Sequence, residues 1–140
     1  MRHRNNNQRL GRSKSHREML MGMLVSALVK EGKIKTTVVK AKIARTEAEK
    51  MVTLARKGTL ASRRLVASRL RDEEAAKKLC TEIAPKYKDR AGGYTRVIKT
   101  VARKSDGAEK AVLMWVDPAE VKAPKAEKKT EKPAEVPAKA

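Results

Sequence analysis

Phenylalanine is absent from this 140-residue chain, and one Trp and two Tyr are its only aromatic residues. It therefore lacks the row of stacking rings that a sequence reader of single strands uses. Cysteine is as scarce. With Cys80 alone, no intramolecular disulfide forms and a Cys-based zinc site is excluded, which fits a reducing cytosol. No apolar run reaches the roughly 18 residues of a membrane helix, since the longest, 19–29, is interrupted by Gly22 and Ser26. Polar residues follow the basic start as far as Glu18, which argues against a secretory signal. An Arg-rich, acid-free start also marks organelle transit peptides, but the helical amphipathicity they need is missing.

Acidic residues are the remaining shortage. The chain holds 35 Lys and Arg against 16 Asp and Glu, a net charge of +19 and a pI near 10.4. Its first seventeen residues carry Arg2, Arg4, Arg9, Arg12, Lys14 and Arg17, with no acid and almost nothing apolar. Such an arm neither builds a core nor neutralises itself, so it needs an outside polyanion, with nucleic acid the first to consider. Residues 18–117 are basic too, with 23 cations against 12 acids. Three regions follow: an extended basic arm over 1–14, one domain over 15–117, and a disordered Ala/Pro/Lys/Glu tail over 118–140 that buries too little to fold.

Periodicity outlines the domain. Ser15-His16-Arg17-Glu18 has the S-x-x-E form of a capping box and predicts a helix start at Ser15. The helix runs to a stop at Gly32, mostly buried, with Glu18, Gly22, Ser26 and Lys30 on one narrow polar stripe. Lys33 to Thr37 reads as a short edge strand or connector. A second helix spans about Val38 to Lys57, closed by Gly58. A third, from Thr59 or Leu60 to Arg71, turns Leu65, Val66 and Leu70 inward. Asp72 caps a fourth, with Glu73 and Glu74 in its first turn; Ala76, Leu79, Cys80 and Ile83 form its apolar stripe, and Pro85 ends it. Beyond Gly93 the period becomes two. Tyr94 to Arg103 and Ala111 to Val116 predict a hairpin turning at Ser105-Asp106-Gly107. The order α-β-α-α-α-β-β implies an α+β, two-layer domain with helices packed on a small sheet.

Catalytic and metal chemistry find little support. His3 and His16 have no Cys or carboxylate cluster nearby and read as solvated or phosphate-contacting. Cys80 lies on an apolar stripe, where a small core residue is expected rather than a nucleophile. Gly32-Lys33 ends like a phosphate-binding loop, but Ala27 and Ile34 stand where that motif requires Gly and Ser or Thr. Helix capping accounts for Asp72, Glu73 and Glu74. No enzymatic activity, cofactor or small-molecule substrate is expected.

The basic residues group differently. Arg63, Arg64, Arg69 and Arg71 surround the apolar side of the third helix, and the bidentate guanidinium suits phosphate; salt bridges to the fourth helix are the alternative. Lys33, Lys35, Lys40 and Lys42 cluster around the short strand. In Arg90-Ala91-Gly92-Gly93-Tyr94-Thr95-Arg96, Gly92 and Gly93 let a backbone approach phosphate or ribose, Tyr94 offers a ring for stacking, and Arg90 and Arg96 flank them. The alternative there is a helix-to-strand turn with Tyr94 in the core. Without a helix-turn-helix or zinc-finger spacing, shape and phosphate recognition of folded RNA is the natural mode.

Seven segments together resemble one family. They are Met1-Arg2-His3-Arg4, Arg9-Leu10-Gly11-Arg12 through Ser15-His16-Arg17, Ile34-Lys35-Thr36-Thr37, Ala41-Lys42, Leu54-Ala55, Arg63-Arg64-Leu65 and the Arg90 to Arg96 loop. In this order they resemble protein seventeen of the bacterial large ribosomal subunit over about residues 1–117. The resemblance implies a structural, cytoplasmic ribosomal protein near the exit of the nascent-chain tunnel. It also implies large-subunit ribosomal RNA and neighbouring ribosomal proteins as partners. The competing expectation is a free basic protein that binds nucleic acid non-specifically.

Overall fold

The computed structural model describes residues 8–116; Arg2, His3, Arg4 and the tail 118–140 lie outside them. The elements are α1 (Lys14–Glu31), β1 (Lys33–Thr37), α2 (Val38–Ala55), α3 (Leu60–Leu70), α4 (Glu73–Lys78), β2 (Thr95–Thr100) and β3 (Lys110–Trp115). After α4 the helix continues through a π-helical segment, Leu79–Ile83, into a last turn, Ala84–Lys86. The order is the expected α-β-α-α-α-β-β. The antiparallel sheet is ordered β1-β3-β2, so the KIKTT strand is an edge.

Alternation in β3 decides which side of the sheet meets the helices. Ala111 and Leu113 are buried, and the register places Ile34 and Val97 beside Leu113 on that side. Against it lies α2, which buries Ala41, Ala44, Ala48, Met51, Val52 and Ala55 at helical spacing. Alanine along this seam lets the helix sit close to the strands. Lys33, Lys35, Arg96, Ile98, Val112 and Met114 point to the other side, where Lys33, Lys35, Arg96 and Ile98 are exposed and Val112 and Met114 half-buried.

The first helix departs from expectation in two ways. Its N-cap is Ser13, in extended conformation, whose carbonyl accepts from the Arg17 amide at 3.0 Å; Ser15 lies within the first turn and the capping box is not formed. A turn at Leu10 and Gly11, both at positive φ, precedes it and seats Leu10 against the core. Partial burial of a leucine is worth about as much as a cap, roughly 1 kcal/mol, so the earlier start is competitive. The helix is also less buried than expected. Met21, Val25, Leu28 and Val29 face inward, but Met23 is 64% exposed, because partners pack on only part of its circumference.

Its polar stripe is a docking seam. A Cβ on Gly22 would lie 2.9 Å from the Arg69 carbonyl oxygen of α3, Ser26 Oγ donates to Asp72 Oδ2 at 2.6 Å, and Lys30 Nζ lies 2.7 Å from the same oxygen. Lys78 closes the seam by donating to the Lys30 carbonyl at 2.9 Å.

Three further differences have local causes. Leu65 is exposed, and only Val66 and Leu70 of its trio point inward, since neighbouring helical positions diverge by about 100°. Pro85 lies inside the last helical turn instead of ending it. A proline there removes a hydrogen bond to the fourth residue back and crowds that carbonyl. The π-helical segment just before it widens the turn, with the Ala84 amide donating to the Leu79 carbonyl. Finally, β2 ends at Thr100 instead of reaching Arg103. Val101 is 86% exposed because β3 begins only at Lys110, and residues 103–108 close the hairpin through Arg103 and Ala108 at 2.9 Å.

Candidate nucleic-acid interface

The Arg90 to Arg96 loop is held from beneath by Arg56, just past the end of α2. Its Nη1 donates to the Arg90 carbonyl and to Tyr94 Oη, and its Nη2 to the Lys88 carbonyl, each at 2.6 Å. Tyr94 Oη donates in turn to the Arg90 carbonyl at 3.2 Å, and Arg90 Nε donates to the Gly92 carbonyl at 2.9 Å. Gly93 takes φ +67°, a conformation that side-chain-bearing residues resist, whereas Gly92 is exposed and a Cβ there would meet nothing within 4 Å.

Tyr94 is not a stacking platform. At 1% exposure its ring lies in the core, 5.3 Å from that of Tyr87, which is itself 6.3 Å from Trp115. Tyr87 Oη donates to the Val116 carbonyl at 2.7 Å and Trp115 Nε1 to the Leu28 carbonyl at 3.1 Å. All three aromatic residues of the chain thus pack together, so ring stacking cannot be the main mode of recognition. Burial wins because the ring's area can be desolvated while its hydroxyl keeps partners.

Acidic and basic residues pair selectively. Ion pairs among the described residues include Lys30 with Asp72 and Glu74, Arg45 with Glu49, Lys50 with Glu47, Lys99 with Glu109 and Arg103 with Asp106. None of these five cations is among those expected to contact RNA. Arg63, Arg64 and Arg69 on α3 and Arg71 at its C-cap are exposed and form no ion pair among the described residues. The alternative of salt bridges to the fourth helix is therefore not realised there. Two other expected contacts, Arg12 and Arg90, each keep one buried guanidinium nitrogen without a hydrogen-bond partner among the described residues.

The fold redistributes the expected groups. Lys33 and Arg96 share one row of the outer sheet face, either side of Met114, and Lys35 lies in the next row. Lys40 and Lys42 belong instead to the first turns of α2. Arg17, on α1, joins Arg69 and Arg71 around one cleft, a grouping the sequence did not reveal. Arg9, Lys14 and His16 are exposed near the helix start. Arg56 carried no local signal, because its acceptors lie 32 to 38 positions away.

Two titratable groups bear on structure. Asp72 receives Lys30, the Ser26 hydroxyl and the Ala75 amide, which together hold its carboxyl well below the usual range. Burial pushes the Cys80 thiol up, with Arg63 opposing it, so thiolate is disfavoured. Among the described residues no cluster of His, Cys, Asp or Glu is arranged to hold a metal ion, and no helix is long and apolar enough to cross a membrane.

Residues 20–116 match the family model described as ribosomal protein L17. A large ribosomal subunit protein bL17 from Campylobacter lari is 50% identical over 116 residues, covering 83% of this chain and 99% of the relative. The protein of the same name from Campylobacter fetus is 51% identical over 116 residues, covering 83% and 98%. That from Sulfurihydrogenibium is 49% identical over 118 residues, covering 84% and 98%.

Proposed function

Because this chain belongs to the ribosomal protein L17 family, we propose that it is held in the large ribosomal subunit by ribosomal RNA, bound through its basic arm and body. The family is one of ribosomal proteins, which makes the chain a structural component and not an enzyme. Neighbouring ribosomal proteins are its other partners, and the cytoplasm its location.

The observation that carries the RNA reading is the segregation of charge. Ion pairs take up Lys30, Arg45, Lys50, Lys99 and Arg103, while the α3 arginines form none among the described residues and can meet an external anion. Phosphate supplies what they lack: a bidentate acceptor whose binding releases counterions. With both tyrosine rings buried and Trp115 packed beside Tyr87, recognition rests mainly on backbone and shape, the mode suited to folded RNA. Gly92 is exposed, and a Cβ there would meet nothing within 4 Å, which leaves room for a phosphate or ribose to approach the backbone.

If about six to ten phosphates are neutralised, affinity for large-subunit ribosomal RNA falls by about three to five decades between 50 and 200 mM salt. A filter-binding titration checks this, and an affinity that barely moves with salt would refute it. Sedimentation after high-salt washing separates this reading from that of a free basic protein. Stoichiometric retention on the large subunit is expected, whereas quantitative release would favour the free protein.

A further inference from the structure

We propose that the cleft enclosed by α1, α2 and α3 receives a single unpaired nucleotide of the bound RNA. The cleft has a volume of about 570 Å³, within the roughly 300–1,000 Å³ range of ligand clefts. Its floor is apolar: Met21, Val25, Met51 and Leu70 are buried there, and Ile43 lies beside them. Around it stand Arg17, Arg69 and Arg71, which form no ion pair among the described residues. Glu18 and Glu47 also line it, the latter 3.0 Å from Lys50.

Each component matches one part of a nucleotide. Guanidinium groups at the rim take the phosphate or stack on a base plane, the apolar floor receives the base, and a carboxylate accepts from an exocyclic amine. Helical RNA presents a continuous convex phosphate surface and leaves its bases stacked, so it reaches the rim but not the floor. The floor is also rigid, since α1 crosses α3 at Gly22, where even a methyl group would press on the Arg69 carbonyl. Gln8 lines the cleft as well, so RNA held by the arm passes beside it. This inference rests on the RNA-binding reading and narrows it to one nucleotide and one site.

The test uses the full chain, methyl-labelled at Met, titrated with a mixed-sequence single-stranded RNA octamer and with an RNA duplex of equal phosphate number. The single strand is expected to shift the Met21 and Met51 methyl resonances, and the duplex to leave them in place. Arg69→Glu with Arg71→Glu is expected to weaken single-strand binding at least tenfold more than duplex binding. Arg63→Glu with Arg64→Glu, outside the cleft on the same helix, should weaken both alike. Equal responses to the two RNAs, or none at the methyls while both bind, would overturn the cleft and leave RNA binding intact. Failure of both RNAs to bind would overturn RNA binding itself. Contacts between residues 1–7 and Met51 in the free chain would assign the cleft to the arm instead.

Discussion

Asp72 shows what a single side chain can settle. It caps α4 by accepting from the Ala75 amide at 3.0 Å, and it ties that helix to α1 through Ser26 and Lys30. Asp72→Ala is expected to cost roughly 0.5–2 kcal/mol at neutral pH. Its carboxyl titrates below the ordinary value, so its contribution is fully present above about pH 4 and fades as pH falls toward the folded value. Urea unfolding of wild type and variant should therefore show a stability gap that narrows below about pH 4. A gap constant from pH 7 to pH 2 would show that the charge contributes nothing. The capping role was legible because a cap is local: one acid, two more acids, then an apolar period. Arg56 was not, since nothing near position 56 names the carbonyls of Lys88 and Arg90. Tyr94 was misread because a ring beside two glycines is compatible with either an outer surface or a core, and burial is decided by Tyr87 and Trp115.

At the scale of elements, the order of helices and strands was legible from period and punctuation, whereas element ends and the facing of Leu65 and Met23 were not. Starts and stops were shifted by contacts beyond the segment: Leu10 on the core set the start of α1, and the position of β3 set the end of β2. Polar spacing along α1 was visible as a stripe, but a stripe of Gly, Ser and Lys does not say whether water or another helix faces it. Gly22 supplies a sharp check. Alanine is the better helix former by about 1 kcal/mol, yet here its methyl would lie 2.9 Å from a backbone oxygen. Forcing the helices apart costs roughly 1–3 kcal/mol, so Gly22→Ala is expected to lower the melting temperature. A raised melting temperature would mean that α1 and α3 separate freely at this crossing.

Across the whole molecule, one region holds the fold together and another is left for the partner. Rings and small residues secure helix to sheet, ion pairs join α1 to α4 or neighbours within α2 and the hairpin, and the α3 arginines, unpaired among the described residues, lie outside. Deleting residues 1–7 should leave the unfolding transition in place, because Leu10 and the Ser13 cap remain. The same deletion removes Arg2 and Arg4 and should reduce the salt dependence of RNA binding by about two phosphate contacts. Loss of cooperative unfolding, or an unchanged salt slope, would contradict this division. The sheet has a consequence of its own. Both outer strands, β1 and β2, have an edge with no neighbouring strand among the described elements, a template for pairing with a second copy. Lys33 and Lys35, exposed on the β1 edge strand, set like charges against a second copy pairing there. Lysine on an edge strand works against sheet-to-sheet pairing, because joining two such edges would bring the like charges together.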